Sequence, residues 1–247
     1  MIDPGRAVRA TSFGAWADEY DDWRPTYPAP AVDWLVPAGA TRVVEVGAGT
    51  GKLTDRLAER DLDLDVVEPD GRMLAIIRRR HPRLRTHETA ATSLPLADRS
   101  VDSVLVADAW HWFPKEEAAA EVARVLRPDG WLGCVWNDPA FQHDWEWQAL
   151  KLDQALQPPH DLDPLERLGL STGRAEQRPF RWTWELTPQQ WRGFVSTVSH
   201  VRLLSQDERA AALDETEQLV SEACASAGAT TAPLTYDALC VRWYPEA

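Results

Sequence analysis

The chain predicts a doubly wound α/β fold, a largely parallel sheet with helices on both faces. Three observations carry that expectation. Between Arg42 and Trp136, short apolar runs of four to six residues alternate with helical stretches. Each run places apolar residues at adjacent positions and not only at every second one, as a strand covered on both faces requires. The first run passes through a glycine loop directly into a helix, the junction expected where a strand feeds a crossover helix of a βαβ unit.

In chain order, the strand runs are residues 43–46, 64–67, 101–106 and 131–135, with a weaker strand at 84–87. Helical stretches at 53–58, 73–77 and 118–126 alternate with them. Ahead of this core, residues 10–41 carry Trp16, Tyr20, Trp23, Arg24, Tyr27 and Trp34 beside Pro25, Pro28 and Pro30. That is too much proline for one helix and too much aromatic surface for a free tail, so an arm packed over the core is expected. Residues 138–175, rich in Pro, Asp and Leu, read as a lid-like insertion with one helix over 145–156. Residues 176–184 alternate as a strand, and two helices are announced by capping boxes, Thr187 with Gln190 and Ser205 with Glu208. A closing strand falls at 234–243. The expected organisation is an arm at 1–41, a core at 42–137, the insertion at 138–175, and a C-terminal part at 176–247 that contains inserted helices within 187–230.

Composition narrows the function. A chain of 247 residues with 44% hydrophobic and 26% charged residues suits one folded domain with elaborations. Its 39 Asp and Glu against 26 Lys and Arg leave a formal charge of −13, which repels nucleic-acid backbones and anionic membrane surfaces. Neither nucleic acid nor a membrane surface is therefore the expected partner. Cys134, Cys224 and Cys240 are spaced for neither a disulfide framework nor a metal cluster. With no signal-like start and no apolar run of about 18 residues, a cytoplasmic protein without a metal is expected. The unusual number is 13 Trp beside 5 Phe and 4 Tyr.

The stretch VVEVGAGTGKLT, residues 43–54, is the most informative. A buried strand carrying an acid runs into Gly47, Gly49 and Gly51, and a helix begins near Lys52. Glycines there permit positive φ and let a ligand approach the backbone, while a helix N-terminus offers free N–H groups. The phosphate-binding G-x-x-x-x-G-K-[ST] loop fails twice, because Val46 stands at its first glycine and Leu53 at its hydroxyl. The dinucleotide pattern G-x-G-x-x-G keeps Gly47 and Gly49 but places Lys52 at its third glycine, which leaves a nicotinamide-dependent dehydrogenase as one alternative.

The third reading is a resemblance. E-x-G-x-G-x-G here resembles the first motif of the class I S-adenosylmethionine-dependent methyltransferases, and three further blocks follow in order. VVEPD places Glu68 after the second strand; ATSLPLADRSVDSVLVADAWHWF, residues 91–113, resembles the loop and fourth strand, with Thr92 where Glu is usual. EVARVLRPDGWLGCVW, residues 121–136, resembles the helix and fifth strand, with Asp129 where Gly is usual. The arm FGAWADEYDDWRPTYP resembles that of small-molecule members, among them the trans-aconitate and quinone methyltransferases. The resemblance implies a Rossmann-like seven-stranded sheet of order 3-2-1-4-5-7-6 and S-adenosylmethionine as cofactor. It implies a cofactor site at Glu45, Gly47, Ala48, Gly49, Glu68, Pro69, Met73, Ala91, Thr92 and Asp108, with Arg24 from the arm.

In such a sheet the ligand sits outside the carboxyl ends of the strands, where strand order reverses. The loop after the fourth strand, residues 108–113, would face the methyl group. It lacks the two prolines that follow Asp or Asn in base-methylating relatives, which argues against nucleobase acceptors. His111 is the candidate general base for a hydroxyl or carboxylic acid, with a positioning role as its alternative. Tyr20, Tyr27, Trp110, Trp112 and Trp136 are the candidate substrate wall, and about half of the Trp residues are expected near that mouth; core packing is the competing account for any one of them. A cofactor-binding protein without turnover is the remaining alternative.

Overall fold

A computed structural model describes residues 16–151 and 162–246. The arm forms α1 (Ala17–Trp23) and α2 (Ala29–Leu35). The core follows as β1 (Arg42–Val46), α3 (Lys52–Ala58), β2 (Asp63–Val67), α4 (Gly71–Arg80), β3 (Arg85–His87), β4 (Val101–Ala107), a 3-10 turn at Trp110–Trp112, α5 (Lys115–Val125) and β5 (Leu126–Pro139). Beyond it lie α6 (Asp144–Leu150), α7 (Pro164–Leu168), β6 (Arg174–Leu186), α8 (Pro188–Ser196), α9 (Ser199–Arg202), α10 (Gln206–Ala227) and β7 (Ala232–Tyr244).

One seven-stranded sheet has the order β3-β2-β1-β4-β5-β7-β6. Strands β1 to β5 pair in parallel, and β7 runs antiparallel to both β5 and β6. This is the α/β fold and strand order expected. The parallel strands alternate their side chains between two covered faces. Val44, Val46, Val104 and Val106 meet Ala118, Val122 and Val125 of α5 on one side. Val43 and Leu105 meet Leu35, Leu53, Leu57, Leu74 and Ile77 of α2, α3 and α4 on the other. Burial on both faces accounts for the continuous apolar runs.

The elements outside the core differ most from the sequence reading. β5, β6 and β7 are longer than their apolar runs, at 14, 13 and 13 residues. Antiparallel pairing of β7 with both neighbours holds polar residues such as Asp138 and Arg178 in the ladder whatever their hydrophobicity. The helix expected at 145–156 is present as α6 at Asp144–Leu150, and its expected end lies outside the described residues. Helix α7 has no counterpart in the sequence reading; Asp163 caps it through the N–H groups of Leu165 and Glu166, with Pro164 at its first position. Both capping boxes form, Thr187–Gln190 at α8 and Ser205–Glu208 at α10. Helices α6, α8, α9 and α10 share a third apolar cluster with Leu234 and Tyr236 at the start of β7, which seats them over the carboxyl end of the sheet.

The tryptophans are mostly structural. Trp110, Trp131, Trp191 and Trp243 each give the indole N–H to a backbone carbonyl, of Leu168, Leu35, Ala232 and Thr172 respectively. Each joins apolar bulk to a hydrogen bond that ties a peripheral segment to the sheet or its helices.

Arm helix α1 reaches α8 through Trp23. A Cβ added at Gly193 would lie 2.4–2.7 Å from the Trp23 ring, so glycine is retained there although it costs about 1 kcal/mol against alanine in a helix interior. Gly193→Ala should therefore expel Trp23: chymotryptic cleavage after Trp23 should accelerate several-fold with only a small shift in global melting temperature, measured by timed digestion and circular dichroism.

Candidate functional site

A cavity of about 410 Å³ opens at the carboxyl ends of β1, β2 and β4. It lies between β1 and β4, where the strand order reverses. Its floor is the loop between β1 and α3. Gly47 has φ +71, and a Cβ there would lie 2.8 Å from both Ala109 Cβ and Phe113 Cζ; no other residue lets this loop pass so close to the segment after β4. Gly49 has φ +57 with nothing within 4 Å of a Cβ, leaving an open shelf. Gly51 caps α3 at φ +93, against Ile77.

Four of the loop's N–H groups are already committed. Gly47 and Ala48 donate to the Val67 carbonyl at 2.8 and 3.2 Å, Gly51 donates to the Ala48 carbonyl at 2.9 Å, and Gly49 donates to Glu68 Oε2 at 2.8 Å. A pyrophosphate would find these four donors spent and three carboxylates, Glu45, Glu68 and Asp108, lining the same cavity. The electrostatics suit a cation and neutral hydroxyls instead, so the dehydrogenase alternative loses its anion cradle.

Each carboxylate has a distinct setting. Glu45 is 1% exposed; Oε2 accepts from the Thr54 hydroxyl at 2.5 Å, while Oε1 is buried without a partner. Burial pushes its carboxyl up to about 8, against the opposing Thr54 hydrogen bond. Glu68 accepts from the N–H groups of Gly49 and Asp70; burial still raises it, opposed by those bonds. Asp108 sits just past β4 with φ +48, a left-handed conformation that aspartate tolerates better than most side chains. Burial raises it to about 6, opposed by the Tyr27 hydroxyl, which donates to Oδ2 at 2.7 Å. The same burial and the Asp108 charge drive the Tyr27 phenol well above its ordinary value.

The arm forms the roof. Tyr20, Arg24 and Tyr27 line the cavity. The arm is anchored by Arg24 to the Thr197 carbonyl, Arg56 to the Tyr27 carbonyl, and the Asn137 amide to the Thr26 carbonyl. Ion pairs of Asp21 with Lys52 and Arg80 add to this. The Arg24 guanidinium lies 4.7 Å from the Tyr20 ring centroid, and its Nε is buried without a partner.

Of the residues singled out in the sequence, the cavity wall also includes Ala48, Pro69, Met73, His111 and Trp112. His111 is exposed at the rim, with its ring centroid 4.7 Å from that of Trp112. Four residues are placed elsewhere. Trp110 is 1% exposed in the core beside Phe113 and is held by Leu168. Trp136 packs against the apolar cluster on the α5 side of the sheet. Ala91 is buried in that cluster, and neither it nor Thr92 lines the cavity. The crowding of Trp at this mouth is thus corrected: Trp112 is the one Trp on the wall among the described residues, while Trp110, Trp131, Trp191 and Trp243 are held by core packing and carbonyl bonds and Trp16 lies exposed beside Arg202.

The far wall went unread. Asn137 and Pro139 end β5, Tyr236 stands opposite Pro139 in β7, and Leu150, Phe194 and Val198 come from the cap. Phe113 carried a local signal, being next to the HW pair. The others reach the cavity only through strand register and helix packing.

The raised carboxyls set the pH dependence of the ligand-free protein. Between about 4.5 and 8, native Glu45 holds a proton that the unfolded chain has released, so stability falls as pH rises through that window, by up to about 1.4 kcal/mol per pH unit for one such group. Asp108 adds the same sign up to about 6. Asp65, Asp102 and Glu121 are lowered and have finished titrating before then. Denaturant melts should show stability declining from pH 5 to 8.5, and Glu45→Gln should flatten the curve and be the more stable protein at pH 8.5.

Comparison with known proteins agrees with this geometry. A family model described as a methyltransferase domain matches residues 44–134. An uncharacterized methyltransferase of Mycobacterium tuberculosis is 40% identical over 240 residues, covering 96% of this chain and 97% of its own. Among solved structures, one described as a type II methyltransferase from Anaeromyxobacter dehalogenans superposes with a TM-score of 0.67 at 24% identity, over 90% of this chain and 97% of that one. The phosphoethanolamine N-methyltransferase 2 of Haemonchus contortus, solved with phosphomonomethylethanolamine and S-adenosylhomocysteine, gives 0.54 at 14% identity over 98% of this chain and 59% of its own. At those identities the structures speak to fold alone, whereas the near full-length relative carries the assignment: the chain belongs to the class I S-adenosylmethionine-dependent methyltransferases.

Proposed function

We propose that the protein methylates an oxygen atom, of a hydroxyl or carboxylate, on a small-molecule acceptor. The observation that supports this best is the division of the cavity: an acidic floor built from β1, β2 and their loops, and an aromatic far wall of Phe113, Phe194 and Tyr236 under the arm. The residues present suit the cofactor. Glu45 offers an unpartnered buried oxygen for its ammonium, Gly49 an open shelf, Glu68 its remaining lone pairs for the ribose hydroxyls, and Met73, only 6% exposed, an apolar surface for the adenine. Arg24 offers its unpartnered Nε to the carboxylate end.

When bound, S-adenosylmethionine supplies an electrophilic methyl group. The arm excludes water over it, and the aromatic wall orients the acceptor; proximity and exclusion of water contribute much of the acceleration in an in-line displacement. His111, exposed beside Trp112, orients the acceptor at the rim or receives its proton.

Titration calorimetry with S-adenosylhomocysteine and with NADH tests the reading. Binding of the sulfur ligand alone is expected, weakened about tenfold or more by Glu68→Ala, the scale of a lost charge-assisted hydrogen bond. Binding of NADH alone would overturn it, and tight sulfur-ligand binding without turnover on any oxygen acceptor would favour a binding protein. Comparing His111→Ala with His111→Gln separates its two roles: a fall in kcat for both marks proton transfer, and a change in KM alone marks positioning.

A further inference from the structure

Where the acidic floor meets the aromatic wall stands one carboxylate that the resemblance places with the cofactor but that the cofactor contacts proposed above do not use. Asp108 lies at the end of β4, its N–H held by the Val135 carbonyl at 2.9 Å, and its left-handed backbone turns the side chain into the cavity wall. One of its oxygens, Oδ2, accepts the Tyr27 hydroxyl. Phe113, Trp112 and Phe194, with the Tyr236 ring stacked on Trp182, make the adjoining wall flat and apolar. Of the charges that act on Asp108, Arg24 lowers it and Asp138, itself paired with Arg167 at 3.3 Å, raises it by less. With Arg24 engaged by the cofactor carboxylate as proposed above, an anionic acceptor beside Asp108 meets like charge, whereas a neutral O–H group finds a hydrogen-bond acceptor.

Building on the proposed oxygen methylation, we infer that Asp108, steadied by Tyr27, receives the proton of the acceptor, leaving His111 the positioning role, and that the acceptor is a neutral hydroxyl on a flat aromatic molecule, a phenol rather than a carboxylate. In the step, the acceptor oxygen forms the new O–CH3 bond with its own electron pair. The O–H proton passes to an Asp108 carboxylate oxygen, and the pair of the broken S–CH3 bond stays on sulfur, leaving S-adenosylhomocysteine. Asp108 is suited to this because burial leaves it more basic than an exposed aspartate while it is still ionised at neutral pH.

The test uses protein saturated with S-adenosylhomocysteine and three probes: 2-naphthol, 2-methoxynaphthalene and 2-naphthoate. Calorimetry should show 2-naphthol bound about tenfold or more tightly than the methoxy compound, with 2-naphthoate weakest. Excited beyond tryptophan absorption, 2-naphthol becomes a strong acid, so the bound probe should emit as naphtholate by transferring its proton to Asp108. Asp108→Asn should abolish that emission and the preference over the methoxy compound. Asp21→Asn, which breaks the ion pairs that tie the arm to Lys52 and Arg80 but leaves Asp108 and Tyr27 in place, should retain both, and its behaving like Asp108→Asn would overturn the assignment. So would equal binding of naphthol and its methyl ether, binding of none of the probes, or naphthoate binding most tightly and depending on Arg24. Failure of S-adenosylhomocysteine itself to bind would instead defeat the underlying methyltransferase site.

Discussion

The close passage of the β1–α3 loop over the segment after β4 is the constraint on which the site depends. Gly47 touches Ala109 and Phe113 where any side chain would collide, and the Gly47 and Ala48 N–H groups close onto the Val67 carbonyl. Three strand ends are thereby drawn into one floor. A second consequence is electrostatic. With its donors turned inward, the loop presents the carboxylates of Glu45 and Glu68 instead of a ring of N–H groups. The same glycine-rich sequence that could cradle phosphate becomes a seat for a cation and a diol.

The roof is built on a different principle. Its outer part, α1 and the turn after it, has little core of its own, unlike α2, whose Ala31, Val32 and Leu35 are buried against the sheet; Ala17 shares a small apolar cluster with Met73 and Ile76 of α4, and Trp23 rests on Gly193. The rest is polar: Tyr27 on Asp108, Asn137 on the Thr26 carbonyl, Asp21 between Lys52 and Arg80. Partly exposed ion pairs contribute little each and weaken with salt. A segment held in this way can open without disturbing the sheet, which suits a cover that must admit a ligand.

Charge inside the cavity connects the two halves. Glu45, Glu68, Asp108 and Tyr27 are all pushed by burial toward their neutral forms, so ionising them in the ligand-free protein is costly. A bound cation relieves that cost, coupling ligand binding to stability and to proton release. The tryptophans serve elsewhere. Indole bulk joined to a single N–H lets Trp110, Trp131, Trp191 and Trp243 fill apolar space and satisfy a loop carbonyl at once, which accounts for part of the excess without invoking the cavity.

What could be read along the chain were the relations local to it. The run from β1 through Gly47, Gly49 and Gly51 into α3, the acid following β2, and the capping boxes of α8 and α10 all depend on neighbours within a few turns, so residue type and spacing express them directly. The Tyr27–Asp108 pair spans 81 positions, and Tyr236 reaches the cavity only because β7 runs back beside β5 and sets it against Pro139. The displacement of Trp110, Trp136 and Ala91 from the site, and the recruitment of Phe194 and Leu150 to it, follow from which surfaces the helices bury. Such contacts leave no period in the sequence, because packing between distant segments depends on shape and burial in three dimensions.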